Sequence, residues 1–189
     1  MFRESPSMAK IALWTLPALA LAALVAFLLQ LDRAEMPGTL ASFADIPIVT
    51  PEGEEMPLAA RLKPGVPTVI GFWDENCGPC VTEAGLLADL RARFGPDDLN
   101  IAYLYVDAPP FDPAQGRRFL ARAGAEALAW GFVAPEPFLA LSRQSMIALP
   151  RTYTFAADGT PTHVFTGYAS GLSPMMEEDA IAGLLMEAP

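Results

Sequence analysis

The stretch "GFWDENCGPCVTEAG", residues 71–85, holds the only two cysteines of the 189-residue chain, Cys77 and Cys80, and places Glu83 three positions further on. Cysteines so spaced have three uses: a structural staple, part of a soft-metal site, or a dithiol that cycles with a disulfide. A two-residue spacer closes a very short loop, so a staple here constrains the unfolded chain little. Two cysteines and one histidine cannot fill a four-ligand zinc site, and that histidine, His163, lies far off among strand-like residues. Met175 and Met176 are soft donors, but no third ligand stands at motif spacing. The redox reading carries the most weight.

Pro79 suits the first turn of a helix, where its missing N–H is not needed, and this sets Cys77 at the helix start. Residues three apart share a helical face, so Cys77 and Cys80 reach disulfide geometry without backbone movement. Unpaired N–H groups and the positive end of the helix dipole stabilise a Cys77 thiolate. Cys80, one turn further in, is expected to be more buried and less acidic, as the resolving thiol of an exchange reaction should be. Glu83 continues the register of the cysteines. Either it faces the core with a raised pKa and takes the Cys80 proton, or it is an exposed glutamate near a favourable helix N-terminus; periodicity alone leaves both open.

Other segments must hold this helix in place. "VPTVIGFW", 66–73, is a continuous apolar run of the kind a doubly covered strand shows. Val81, Ala84, Leu87, Leu90 and Phe94 recur at helical spacing, and Gly95-Pro96 ends the helix. "LNIAYLYVD", 99–107, predicts a second buried strand, and Asp112-Pro113 to Gly124 a capped helix. Residues 125–148 resist assignment beyond a short helix after Pro137. "RTYTFAADGTPTHVFTGY" predicts a hairpin around Asp158-Gly159, and Ser173-Pro174 opens a last helix with Ile181, Leu184 and Leu185 as core contacts. "IPIVTPEGEEMPL" reads as a hairpin-like lead-in whose prolines, 47 and 57, favour a sheet edge. The order strand, helix, strand, helix, hairpin, helix predicts an α/β fold with helices on both faces of a sheet.

Residues 11–31 are uncharged, and as a helix they span about 31 Å, the thickness of a bilayer core. An apolar run of this length favours an uncleaved transmembrane anchor over a secretory signal. Arg3 and Lys10 before it place residues 1–10 in the cytoplasm. Residues 32–45 then read as a tether, and 46–189 as the domain, on the oxidising side of the membrane. With 22 acidic against 12 scattered basic residues and a net charge of -10, nucleic acid is excluded as a partner.

"FWDENCGPC" resembles the active-site stretch of thioredoxins, and residues 43–168 resemble membrane-anchored thioredoxin-like proteins of the TlpA and ResA type. The pattern formed by Cys77, Pro79, Cys80 and Glu83 is similar to that of this subgroup. The resemblance implies a thioredoxin-like fold, a central mixed sheet flanked by helices, joined to the N-terminal transmembrane helix. It implies thiol–disulfide exchange catalysed by Cys77 and Cys80, with Glu83 assisting proton transfer and no cofactor beyond the redox-active disulfide. It implies a cis bond between Leu149 and Pro150, with a substrate chain running beside Leu149, Pro150, Gly78 and Pro79. Trp73 matches a family tryptophan and is assigned to core packing, with a secondary effect on the substrate site. The implied partners are protein thiols and disulfides and a membrane electron donor. The implied task is reduction of particular disulfides in the periplasm or extracytoplasmic space, in cytochrome c maturation or metal-site assembly; the same chemistry run as an oxidant or isomerase, and a non-catalytic thiol module that binds metal or a partner, stay open because the sequence does not set the reduction potential. Three departures separate the chain from an ordinary thioredoxin. Gly71 stands where thioredoxins carry a buried aspartate, Asn76 replaces the tryptophan before the first cysteine, and Gly85 replaces a helix-kinking proline.

Overall fold

Thr68–Trp73 (β3) and Asn100–Val106 (β4) are the two continuous apolar runs, and every residue in both is buried. Strands covered on both faces have no polar side to present, which explains their lack of alternation. They pair in parallel, Thr68 with Asn100 through Trp73 with Tyr105, at the centre of a seven-stranded mixed sheet. The computed structural model describes residues 38–143, 146–167 and 173–186, with residue 24. Among the described residues no helix is long and apolar enough to cross a membrane. The anchor expected over 11–31 lies outside the described residues, residue 24 apart.

Gly78–Arg93 (α2) carries the chain from β3 to β4, and Pro113–Ala123 (α3) carries it onward to Trp130–Val133 (β5), which pairs in parallel with β4. Asp112 caps α3 by accepting the Ala114 N–H at 2.9 Å, and Gly124 ends it at φ 66°, a left-handed conformation that glycine adopts freely. Pro135–Ser142 (α4) follows β5, starting slightly earlier than the helix expected after Pro137. Strand β5 itself is absent from the sequence-based order. Four apolar residues without alternation cannot be told from a buried helical turn by pattern alone.

Arg151–Phe155 (β6) and Pro161–Thr166 (β7) form the expected hairpin, with Gly159 at φ 81° in its turn; β6 lies antiparallel to β3. Pro47–Val49 (β1) and Glu55–Pro57 (β2) form the lead-in hairpin. Of these two, β2 alone lies at a sheet edge, because β1 also pairs with β5, through Val49 and Phe132. Ser173–Met186 (α5) is the last helix, with Ile181 and Leu184 buried.

One core layer holds α2, α3 and Ile181 of α5 against Val69, Trp73, Tyr103 and Tyr105. The other holds Phe43, Leu58 and Phe138 against Ile70, Phe72, Tyr153 and Phe155. Phe43 belongs to a single helical turn, Ala41–Ala44 (α1), within the stretch read as a tether. Its ring meets Tyr153 and Phe155 edge-on, each at 5.0 Å. The domain's packing therefore begins before residue 46. One turn of helix has no periodicity to detect, which is why the stretch looked unstructured. Leu40 N–H donates to Gly159 O at 2.9 Å, tying this segment to the β6–β7 turn.

Candidate active site

At the end of β3 the chain makes a tight turn. Asp74 accepts the Asn76 N–H on Oδ1 at 2.7 Å and the Cys77 N–H on its carbonyl at 3.3 Å. Cys77 is thereby held as the N-cap of α2, and the Cys80 N–H points at Cys77 Sγ from 3.2 Å. The two cysteines form a disulfide. Cys77 is part-exposed, Gly78 and Pro79 are exposed between the cysteines, and Cys80 has 0% exposure. This is the asymmetry in burial expected from the sequence: one sulfur open to solvent, and one sealed behind it.

Glu83 is 1% exposed, so the inward-facing alternative is the one the fold adopts. The buried face of α2 is Cys80, Glu83, Ala84, Leu87 and Leu90, while Val81 and Phe94 of the expected stripe lie only half-buried. Thr152 donates to Glu83 Oε1 at 2.5 Å, and Tyr103 Oη lies 3.1 Å from Oε2. Burial pushes the Glu83 carboxyl up from 4.5 to about 7, against the lowering pull of hydrogen bonds from Thr152 and then Tyr103. A carboxyl poised near neutrality suits proton transfer at physiological pH.

Sheet register explains how these groups meet. Gly71 pairs laterally with Tyr103 on β4 and with Thr152 on β6, so the three stand in one row across the sheet. A Cβ at residue 71 would lie 2.8 Å from Tyr103 Cδ2 and 3.3 Å from Thr152 Oγ1. The space over Gly71 is thus taken by the Tyr103 ring, and the carboxylate comes from α2 instead of β3. Tyr103 and Thr152 are absent from the residues singled out in the sequence. The available signal was a glycine inside a strand, which marks close approach by another group.

Trp73 is fully buried and stacks on Tyr103, Tyr105 and Phe119 at 5.4, 4.5 and 4.2 Å between ring centroids. A ring covered in this way packs the core and does not itself touch a substrate, so any influence on the site is indirect. The Leu149–Pro150 bond is cis, as is Pro109–Pro110. Because Phe72 pairs with Arg151, Pro150 lies at the same end of the sheet as the turn that delivers Cys77. Leu149 is half-buried and packs against the core layer that also holds Cys77 and Cys80. Pro150 is buried, and its carbonyl accepts the Gly167 N–H at 2.8 Å. On another flank, Asp74, Glu75, Asp107 and Asp112 line an open cleft of about 430 Å³ beside Tyr105. The Tyr105 phenol pKa is raised by burial first and by those four carboxylates second. His163 is exposed on β7 and stacks on Phe165, outside the site. Among the described residues, no three His, Cys, Asp or Glu side chains converge to hold a metal ion.

No protein-family model matches the chain, and no curated protein sequence matches it. Solved structures do. A secreted Mycobacterium tuberculosis disulfide oxidoreductase, homologous to E. coli DsbE, is 18% identical at a TM-score of 0.56, covering 74% of this chain and 96% of its own. M. tuberculosis DsbF is 15% identical at a TM-score of 0.59, over 76% and 97% of the two chains. A thioredoxin-family thiol:disulfide interchange protein of Chlorobium tepidum is 15% identical at a TM-score of 0.57, over 79% and 97%. The fold is therefore thioredoxin-like: an α/β mixed sheet flanked by helices, with a Cys-x-x-Cys pair at the start of α2.

Proposed function

We propose that this protein is a thiol–disulfide oxidoreductase acting on protein disulfides. One observation carries the reading: a disulfide at a helix N-terminus with Cys77 accessible, Cys80 buried, and the buried carboxyl of Glu83 on the same helical face. In the reduced protein the Cys77 thiolate attacks a substrate disulfide, forming a mixed disulfide and releasing the first substrate thiolate. Cys80 then attacks Cys77 Sγ as its thiol proton passes to Glu83. The Cys77–Cys80 disulfide forms, the second substrate thiolate leaves, and two electrons have moved to the substrate. Leu149, set by the buried cis-Pro150, and the exposed Gly78 and Pro79 form the surface along which the substrate chain lies, like an added strand.

The same proposal extends to direction and place. Residues 11–31 anchor the domain on the outer side of the cytoplasmic membrane, and a membrane protein returns electrons to the pair. The substrates are selected disulfides of extracytoplasmic proteins, in cytochrome c maturation or metal-site assembly. Support comes from the uncharged 21-residue stretch, the resemblance around Cys77–Glu83, and the oxidoreductases among the proteins of similar fold.

Equilibration of the pair with a dithiothreitol or glutathione buffer tests the direction. A midpoint near that of thioredoxin, about −270 mV, supports the reductant, whereas one near about −120 mV assigns an oxidant. A pair that does not cycle removes the enzymatic reading altogether. A Cys80→Ser variant is expected to accumulate mixed disulfides through Cys77 in cells.

A further inference from the structure

One hydroxyl hydrogen faces two buried acceptors behind the disulfide. Tyr103 Oη lies 3.1 Å from the Cys80 carbonyl oxygen and 3.1 Å from Glu83 Oε2, while Thr152 serves the other carboxyl oxygen. Tyr103 and Cys80 have 0% exposure, so bulk water cannot replace a missing partner. A single hydrogen cannot serve both acceptors at once; the Cys80 carbonyl, inside α2, keeps its helical N–H donor whichever way the phenol turns, whereas the Glu83 carboxylate depends on side-chain donors. The ionised carboxylate is the stronger acceptor and takes the hydrogen. When Oε2 is protonated, the carboxyl O–H instead donates to Tyr103 Oη, and the phenol hydrogen is free to turn to the Cys80 carbonyl.

We propose that Tyr103 is a positioning residue whose hydroxyl turns between Glu83 Oε2 and the Cys80 carbonyl oxygen as Glu83 loses and gains its proton. Its use in catalysis rests on the thiol-exchange reading above. No covalent bond to Tyr103 changes, and Tyr103 keeps its own proton throughout. The proton that moves is the Cys80 thiol proton, received by Glu83. The turn keeps Glu83 hydrogen-bonded in both protonation states and ties the state of the carboxyl to the backbone of the resolving cysteine. Gly71 makes it possible, because any side chain there would push the Tyr103 ring aside.

The test uses the oxidised full-length chain in detergent micelles and reads no catalysis. Labelling with [1-¹³C]cysteine gives two carbonyl signals, one for each cysteine. A ¹³C label on the glutamate carboxyls follows Glu83, identified as the signal lost in Glu83→Gln. In the unsubstituted protein, the Cys80 carbonyl and the Glu83 carboxyl are expected to titrate with one shared midpoint. In Tyr103→Phe, the ionised carboxylate keeps one hydroxyl donor of two, so the Glu83 midpoint rises by about one pH unit. The Cys80 carbonyl then no longer titrates. Thr152→Ser keeps its hydroxyl and leaves both curves in place.

A Cys80 carbonyl that ignores pH in the unsubstituted protein overturns the proposal, and this needs no variant to fold. So does one that titrates equally in Tyr103→Phe, since the Glu83 charge alone would then explain it. Coupled curves in a protein that fails to exchange disulfides would leave the turn standing and remove the oxidoreductase reading; exchange without coupled curves would do the reverse.

Discussion

Along β3, successive side chains enter two different environments. Ile70 and Phe72 point into an aromatic layer where Phe72 lies 5.0 Å from Phe138 and 6.0 Å from Tyr153. Gly71 and Trp73 point to the face covered by α2, where a buried carboxyl, a phenol and a threonine hydroxyl form a polar network. The same alternation runs along β6, with Tyr153 and Phe155 on the first face and Thr152 on the second. Apolar burial on both faces contributes stability, which on the second is partly opposed by an ionisable group held out of water. Both faces carry an apolar core and only the second also carries an ionisable network, a difference that single substitutions on β3 and α2 can test.

The largest effect is expected at the exposed sulfur. Cys77→Ser should abolish disulfide reduction in a dithiothreitol-coupled assay while changing the urea midpoint little, because the two-residue loop constrains so little. Phe72→Ala, on the aromatic face, should cost about 3–5 kcal/mol in urea unfolding and leave the reduction potential of the surviving folded protein unchanged. A large change in potential would show that the faces are not separable.

Glu83→Gln should act on both properties, with a pH dependence of definite sign. The folded-state pKa is raised from 4.5 to about 7, so the carboxyl's contribution is fully favourable below 4.5 and is lost as pH rises through about 7. The neutral glutamine escapes that loss. Near pH 8 the variant should therefore be more stable than the unsubstituted protein by about 3 kcal/mol, with little difference near pH 4. Its exchange rate should fall and lose its inflection near neutral pH. The smallest effect is expected at Gly71→Ala, whose methyl must displace the Tyr103 ring: about 1–3 kcal/mol of stability, with the Glu83 titration moved upward.

These faces were unequally legible in the sequence. The Cys77, Cys80, Glu83 register follows from helical spacing, and Pro79 marks the start of α2, so the chemistry on one element could be read locally. Tyr103 and Thr152 lie on other strands, 20 and 69 residues from Glu83, and meet it only through the lateral pairing of β4 and β6 with Gly71. Pairing register is set by tertiary packing, and a single sequence does not disclose it. Strand β5 and helix α1 were missed because each is too short to show a period. Trp73 reads from the sequence as core packing with a secondary effect on the site, but the aromatic rings stacked around it come from β4 and α3, distant in sequence, and could not be named from its own stretch.

The bond from Leu40 to Gly159 fixes where the chain joins the domain. Gly159 follows Phe155, which pairs with Thr68 at the start of β3, whereas Cys77 follows the other end of that strand. The join and the reactive sulfur are thus separated by roughly the length of β3, about 20 Å for six residues. For anyone immobilising the protein on an electrode or bead, linkage just before residue 38 grips the domain at its rear. The sulfur end remains open to a large protein arriving from solution.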